Sequence, residues 1–153
     1  MTLVTAVAVQ QGLEQLKLNT LVKWPNDLLL EDGRKLAGIL TESQSQSGDV
    51  KAIVIGIGLN IQRLADAPPE YGFLSDIGYL GSRSEVLEAI LETLEFHIDH
   101  LNTPGHFGFC LNYLRKHSAT IGRPVTNGIA VDINSDGSLL VQDSQGKLSS
   151  MYT

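Results

Sequence analysis

The chain has 153 residues, of which 42% are hydrophobic and 18% charged, an ordinary composition for one globular domain or one domain with a small appendage. Its 11 basic residues against 17 acidic residues give a net charge of −6, which argues against a nucleic-acid partner. The apolar runs are too short and too rich in glycine to span a bilayer, and no basic segment precedes the first of them. We therefore expect no membrane partner and a cytoplasmic location.

Residues 1–60 carry the pattern of one helix followed by four strands. Apolar residues over 3–18 recur at the spacing of a helix that buries one broad face. A hairpin turn is predicted at 31–34, and the Ser/Gln-rich stretch 43–48 is predicted to be a mobile loop. The strands are predicted at 21–24, 28–30, 35–42 and 50–60. The last of them is apolar on both faces, which is typical of a central strand covered on both sides.

The second half begins with a long irregular connection over 61–81. Ser82 and Glu85 then have the spacing of a capping box, and the apolar periodicity after them predicts a helix that ends near residue 101. A further helix is predicted over 107–116. Short strands separated by hairpin turns follow, at 124–126, 129–133, 139–142 and 147–148.

These elements predict an α+β fold, in which a mixed, largely antiparallel sheet with packed helices is followed by a small β module. We expect the first domain to cover 1–117 and the module to cover 118–153.

The segment Lys23-Trp24-Pro25-Asn26-Asp27 places charged and amide groups between two runs that are typical of buried strands. Buried charge is costly unless it is paired, so this segment and the nearby Lys35 are the first candidates for a site. Each residue alone has an ordinary explanation. Lys35 can reach water from a strand end, and Asn26 and Asp27 can shape the turn after the proline.

The neighbouring strands add further residues that suit a ligand site, namely Gly38, Gly56, Gly58 and Asn60. Glycines let a ligand lie flat on the backbone, although a bulge or close strand packing explains them equally well. A lysine can neutralise the charge that builds up when a carboxylate attacks the α-phosphate of a nucleoside triphosphate. Asp27 is suited to hold Mg²⁺, and Asn26 and Asn60 are suited to bond phosphate or ribose.

Three segments, in this order and spacing, closely resemble the biotin–protein ligases, also called biotin–acetyl-CoA-carboxylase ligases. They are Lys23-Trp24-Pro25-Asn26-Asp27, Lys35-Leu36-Ala37-Gly38-Ile39-Leu40-Thr41-Glu42 and Gly56-Ile57-Gly58-Leu59-Asn60. The resemblance runs on to Gly122-Arg123-Pro124-Val125, and it implies a class II synthetase-like catalytic half-domain followed by an SH3-like module. It also implies an ATP-dependent reaction in two steps. Biotin and ATP give biotinyl-5′-AMP, and a lysine of a biotin carboxyl carrier domain then accepts the biotin.

The resemblance also implies roles for the site residues. Lys35 matches the essential lysine, which contacts both biotin and the adenylate. The residues implied at the biotin pocket are Lys35, Gly38, Gly56, Gly58 and Leu59. The residues implied at ATP and the adenylate are Lys23, Asn26, Asp27 and Asn60. Mg²⁺ is the implied metal, with Asp27 as its candidate ligand.

Two features of the family have no counterpart in this sequence: a Ser-Thr-Asn stretch and a Gly-Arg-Gly-Arg-rich loop that closes over biotin and the adenylate. The C-terminal module also looks shortened. We therefore expect a C-terminal fragment or a truncated product. Ligase activity of the chain alone is expected to be weak or absent, because an uncovered biotinyl-adenylate meets water. With the first half of the family's sheet missing, the strand at 21–24 is expected to have an open edge. Such an edge favours pairing with a second copy, so a homo-oligomer, most simply a dimer, is expected.

Two other functions stay open from the sequence. A non-catalytic half-domain would pair through an exposed sheet edge, with itself or with a separately encoded N-terminal half. A relative of the lipoate ligases would share the fold, although the Lys-Trp-Pro-Asn-Asp motif favours biotin.

The histidines and the cysteine predict no further site. His97, Asp99 and His100 share one helical turn, but a solvated helix face explains them better than a metal does. His106 has no partner that the sequence identifies. Cys110 is predicted to be a small buried hydrophobic residue.

Overall fold

The computed structural model describes residues 1–152. Its helices are α1 (Thr2–Gln15), α2 (Arg83–Asp99) and α3 (His106–Lys116), with a short 3₁₀ helix at Leu74–Ile77. Its strands are β1 (Leu21–Lys23), β2 (Asp27–Leu29), β3 (Lys35–Gln46), β4 (Asp49–Leu59), β5 (Pro124–Val125), β6 (Gly128–Ile133), β7 (Leu139–Gln142) and β8 (Leu148–Met151). They form two antiparallel sheets in the orders β1-β2-β3-β4 and β5-β6-β7-β8. The predicted α+β class with largely antiparallel sheets is confirmed.

The first sheet has two different faces. Its inner face carries Leu28, Ala37 and Ile39, which are at most 2% exposed and belong to the main hydrophobic core with α1. Its outer face carries the alternate residues, including Asp27 and Gly38, because successive side chains of a strand point to opposite sides. The site described below lies on the outer face.

Helix α1 lies between the inner face of the sheet and α2. The two helices approach so closely that a Cβ added at Gly12 would lie 2.8 Å from the carbonyl oxygen of Ala89. Thr93 of α2 donates a hydrogen bond to the carbonyl of Ala8 at 2.7 Å, which links the helices directly. The predicted capping box of α2 is present, since Ser82 and Glu85 exchange side-chain to backbone hydrogen bonds.

Strands β3 and β4 form one long hairpin, so the predicted loop at 43–48 is wrong. The strands extend through most of that stretch and reverse at Ser47 and Gly48, both of which have positive φ. The prediction of a covered central strand at 50–60 is also wrong for the described residues. Strand β4 is an edge of the sheet, and Val50, Ile53 and Val54 are exposed.

The edge at β1 is less open than predicted. Val22 pairs with the segment after α3, since its N–H donates to the carbonyl of His117 at 2.9 Å and its carbonyl accepts from Ala119 at 2.8 Å. The open edge therefore lies at the opposite side of the sheet, on β4. Within residues 1–152 no helix has the length and apolar character needed to cross a membrane.

The second sheet packs against the start of the first. Trp24 donates from its indole Nε1 to the carbonyl of Gly137 at 3.0 Å and from its backbone to Thr120 Oγ1 at 2.8 Å. Buried residues of β6 and β7, such as Ile133 and Leu139, belong to the same hydrophobic core as α1 and β3. These hydrogen bonds fix Trp24, at the start of the turn at 24–26, to the second half of the chain.

Candidate functional site

Four of the predicted site residues form a row across the outer face of the first sheet. The strand register pairs Lys23 with Asp27, Asp27 with Gly38, and Gly38 with Gly58. Residues that lie directly opposite each other on neighbouring strands share a face and are close together. The three predicted motifs therefore meet along one line that runs from β1 to β4.

Lys35 and Asp27 form an ion pair at one end of this face. Lys35 Nζ lies 2.6 Å from Asp27 Oδ1, and the two side chains are 41% and 17% exposed. Oδ1 is buried and accepts no well-aligned hydrogen bond from the described residues. A buried carboxylate oxygen without a hydrogen bond is costly, so the ammonium group is its main compensation. The exposed part of Lys35 remains within reach of a ligand.

The glycines beside this ion pair are not explained by packing. A Cβ at Gly56 would come no closer than 3.7 Å to any neighbouring atom, and one at Gly58 no closer than 3.9 Å. Neither residue has the positive φ that favours glycine. The predicted alternative of close strand packing is therefore not supported at these two positions. What glycine provides here is a flat, open surface of backbone.

Gly38 differs because it touches the ion pair. A Cβ at this position would lie 3.5 Å from both Asp27 Oδ1 and Lys35 Nζ. That distance is ordinary van der Waals contact, so a methyl group fits without strain. Any longer side chain would extend across the two charged groups and hide them from a ligand.

Asn26 and Asn60 brace β3 on either side of Gly38. The amide nitrogen of Asn26 donates to the carbonyl of Ile39 at 3.0 Å. The amide nitrogen of Asn60 donates to the carbonyls of Lys35 at 3.3 Å and Gly72 at 3.1 Å. These donors are thus occupied by backbone, which leaves the side-chain carbonyl oxygens of the two residues for any ligand.

A charged cluster that the sequence did not predict fixes the backbone of Lys35. Asp76 accepts from Arg34 at 2.6 Å and from Arg63 at 2.7 and 2.6 Å, which holds the connection 61–81 against the start of β3. These guanidinium groups, Arg63 above all, lower the pKa of Asp76 far below its usual range. The backbone N–H of Lys35 in turn donates to the carbonyl of Glu70, and the backbone carbonyl of Lys35 accepts from the N–H of Gly72, both at 2.8 Å.

Residues 1–60 match the model of the biotin/lipoate A/B protein ligase family. Along 95% of the chain, the sequence is 34% identical to the bifunctional ligase/repressor BirA of Bacillus subtilis. The chain is thus similar to this ligase family, over residues 1–60 by the family model and along most of its length by this relative. The resemblance drawn from the three motifs is thereby confirmed.

Two further proteins named as biotin ligases are similar over most of the chain. The biotin–[acetyl-CoA-carboxylase] ligase of Paracoccus denitrificans is 29% identical over 82% of this chain and 58% of its own length. The Aquifex aeolicus biotin protein ligase in complex with biotin and ATP superposes with a TM-score of 0.80 at 22% identity, over 99% of this chain and 67% of that one. The alignment with the Bacillus subtilis relative covers 49% of that protein, so the chain spans about half the length of the curated relatives it matches.

Not all residues that match the ligase motifs lie on the outer face. Leu59 pairs with Ala37, so it lies on the inner face, where it packs against the hydrophobic core. Lys23 is exposed and forms no ion pair within residues 1–152. The structure thus brings together Lys35, Asp27 and the three glycines, with Lys23 at the margin and Leu59 behind the sheet.

The predicted Mg²⁺ ligand does not fit its surroundings. Mg²⁺ is usually held by one or two carboxylates together with phosphates and several waters. The inner oxygen of Asp27 already lies 2.6 Å from the Lys35 ammonium, and a cation at that oxygen would be repelled. Among the described residues, Asp27 belongs to no group of three or more potential metal ligands. Asp27 is better explained as the partner that orients Lys35.

One cavity near the motifs lies away from the ion pair. A cavity of about 380 Å³ opens between the turn at 24–26, the start of α1 and the loop at 136–138. Asn26 and Leu40 line it, but Lys35, Asp27 and the glycines do not. Because it lacks the charged pair, we assign the chemistry to the outer face of the sheet instead.

Proposed function

We propose that this chain forms one wall of the active site of a biotin–protein ligase, which makes biotinyl-5′-AMP from biotin and ATP and transfers biotin to a carrier lysine. The observation that carries the proposal is the Lys35–Asp27 ion pair beside an open glycine surface. Biotin would lie flat along Gly38, Gly56 and Gly58, with its carboxylate directed toward Lys35. The relatives that are named biotin–[acetyl-CoA-carboxylase] ligases support this substrate over lipoate.

In the first step a carboxylate oxygen of biotin attacks the α-phosphorus of ATP. A new P–O bond forms and the bond to pyrophosphate breaks, so negative charge moves across the α-phosphate oxygens. The Lys35 ammonium is suited to hold both the attacking carboxylate and these oxygens, because a fixed cation costs no reorganisation in the transition state. Asp27 would keep Lys35 correctly directed through their ion pair.

In the second step the amine of a carrier lysine attacks the acyl carbon of biotinyl-5′-AMP. The C–N bond forms, the C–O bond to AMP breaks, and the amine loses a proton to solvent. Lys35 would stabilise the departing phosphate. We propose a biotin carboxyl carrier domain as the partner and the cytoplasm as the location, because ATP is the co-substrate.

ATP would enter as its Mg²⁺ complex, with the ion held by the phosphates and by water rather than by Asp27. Asn26 and Asn60 are positioning residues in this account, because they fix the backbone of β3 beside Gly38. Lys23, at the end of the row, is available to attract the phosphates.

A binding experiment tests the role of Lys35. A non-hydrolysable biotinyl-adenylate analogue is titrated into the 153-residue chain to millimolar concentration and followed by NMR, so that weak binding is measured too. Lys35→Met is expected to weaken binding roughly 10- to 100-fold, as loss of a hydrogen bond to a charged group does. Lys51→Met is the matched control, since Lys51 is an exposed lysine on β4 paired only with Asp49. Equal binding by both variants, or no binding by the parent chain, would contradict the proposal.

We also propose that two copies associate through the open edge of β4. Within residues 1–152 one side of this strand has no neighbouring strand, and Val50, Ile53 and Val54 are exposed, the arrangement that favours pairing with another strand. The non-catalytic alternative uses this same edge. Analytical ultracentrifugation of the parent and of Ile53→Lys tests it: a dimer that the substitution dissociates supports the proposal, and a monomeric parent contradicts it.

A further inference from the structure

Three potential metal ligands meet in the interior, far along the chain from the ligase motifs. His97 lies near the end of α2, His106 begins α3, and Cys110 follows one turn later. Their exposed fractions are 0%, 8% and 0%, and the three form the single group of at least three potential metal ligands found within residues 1–152. The predicted solvated face is therefore wrong for His97, whereas Cys110 is buried as predicted.

The distances between the ligand atoms suit a single transition-metal ion. His97 Nδ1 lies 3.0 Å from His106 Nε2, and Cys110 Sγ lies 3.7 and 3.9 Å from the same two nitrogens. Tetrahedral zinc at its usual bond lengths separates two nitrogens by about 3.3 Å and a nitrogen from a sulfur by about 3.6 Å. The three atoms are thus already near the spacing that an ion would impose.

The orientation of His97 supports the same conclusion. Its Nε2 lies 2.8 Å from Gln11 Oε1 on α1, which can only accept a hydrogen bond. Nε2 therefore carries the proton, and Nδ1 presents its lone pair toward His106 and Cys110. A histidine that ligates a metal usually donates its other N–H to a carbonyl or carboxylate in this way.

A hydrogen bond between two neutral imidazoles explains part of this cluster. In the metal-free protein His106 Nε2 would donate to His97 Nδ1 at 3.0 Å. Burial lowers the pKa of His97 and raises the pKa of Cys110, so both groups are neutral near pH 7. The hydrogen bond does not explain why a thiol lies at nearly equal distance from both nitrogens.

We propose that His97, His106 and Cys110 form a binding site for a divalent transition-metal ion that prefers imidazole and thiolate, Zn²⁺ in the first place, with water as the fourth ligand. On binding, the S–H bond of Cys110 breaks, its proton goes to solvent and the sulfur–metal bond forms. His106 moves its proton to Nδ1, which leaves its charge unchanged. The ion would fasten the end of α2 to the start of α3 and stabilise the fold, independently of the ligase proposal.

Cobalt spectroscopy tests the site on the full chain, prepared without a polyhistidine tag. Co²⁺ is added to the metal-free protein, and its thiolate charge-transfer and ligand-field absorption are recorded. One equivalent of Co²⁺ should give both bands, and one equivalent of Zn²⁺ should remove them. Failure to bind, or binding without a thiolate band, would overturn the proposal.

Three variants separate this site from adventitious binding. Cys110→Ser should lose the thiolate band and lower the affinity by more than the roughly 10- to 100-fold that loss of an outer hydrogen-bond partner costs. Gln11→Ala should lower the metal affinity by roughly 10- to 100-fold. His100→Gln is the matched control, since His100 is exposed directly after the end of α2 and, among the described residues, its ring hydrogen-bonds the carbonyl of Phe96. Unchanged affinity in Cys110→Ser, or an equal loss in the control, would contradict the ligand set. Circular dichroism of each variant checks that it has folded.

Discussion

The two faces of the first sheet are made by the same strands but are explained in different ways. On the inner face, Leu28, Ala37 and Ile39 are buried against α1, and packing accounts for each of them. On the outer face, Gly56 and Gly58 have room for side chains that they lack, and Lys35 and Asp27 form a half-exposed ion pair. Residues whose identity the fold does not require are the ones that point to a ligand.

The largest loss of stability is expected from a substitution on the inner face. Ile39→Ala removes a side chain that is 2% exposed, so the free energy of unfolding should fall by about 2–5 kcal/mol through lost burial and the cavity left behind. Urea denaturation measures it. Leu40→Ala is the control on the outer face, because Leu40 is 64% exposed and its loss should change stability by less than about 0.5 kcal/mol. Similar losses from both would remove the distinction between the faces.

A substitution in the charged cluster that holds Lys35 should cause a smaller loss of stability. Asp76→Asn keeps the shape but loses the charge that Arg34 and Arg63 bond, so stability at pH 7 should fall by about 1.5–3 kcal/mol. Because the folded pKa of Asp76 is depressed, its contribution is present above the ordinary value of 3.8 and is lost as the pH falls through the folded value.

Urea denaturation of the parent and of Asp76→Asn over a pH series checks this sign. The difference in unfolding free energy should stay constant from pH 7 to about pH 5 and narrow at lower pH. A difference that grows on acidification would contradict the assignment of the ion pairs.

Helix packing behind the inner face gives a third test. Gly12→Ala adds a Cβ that would lie 2.8 Å from the Ala89 carbonyl oxygen, so α1 and α2 must move apart at a cost of about 1–3 kcal/mol. Gly108→Ala in α3 is the matched control. A Cβ there has no neighbour within 4 Å, so this helix should gain about 0.5–1 kcal/mol. Thermal unfolding of both variants measures the difference, and two changes of the same sign would contradict the account.

The sequence predicted the helices, most strands and the outer-face residues because these depend on local patterns. Apolar periodicity marks α1, the Ser82–Glu85 spacing marks the start of α2, and the three motifs are short and contiguous. The long β3–β4 hairpin was missed because the Ser/Gln-rich stretch 43–48 has the composition of a loop. Its strands are held by cross-strand backbone bonds that composition does not reveal.

The other features that the sequence did not predict have a different cause. Asp76 meets Arg34 across 42 residues, and His97 meets Gln11 across 86. Such contacts arise from tertiary packing, so no spacing in the sequence indicates them. The roles of Asn26 and Asn60 also needed the structure, because a turn residue and a ligand residue have the same local pattern until the hydrogen-bond partners are known.

We propose that the glycines of the outer face serve a ligand and not the fold. Gly58→Val tests it most directly, because a Cβ at that position has no neighbour closer than 3.9 Å and valine suits a strand. The Gly58→Val chain should have an unfolding free energy within about 0.5 kcal/mol of the parent and should lose binding of the biotinyl-adenylate analogue in the NMR titration. Undiminished binding by a normally folded Gly58→Val chain would contradict it.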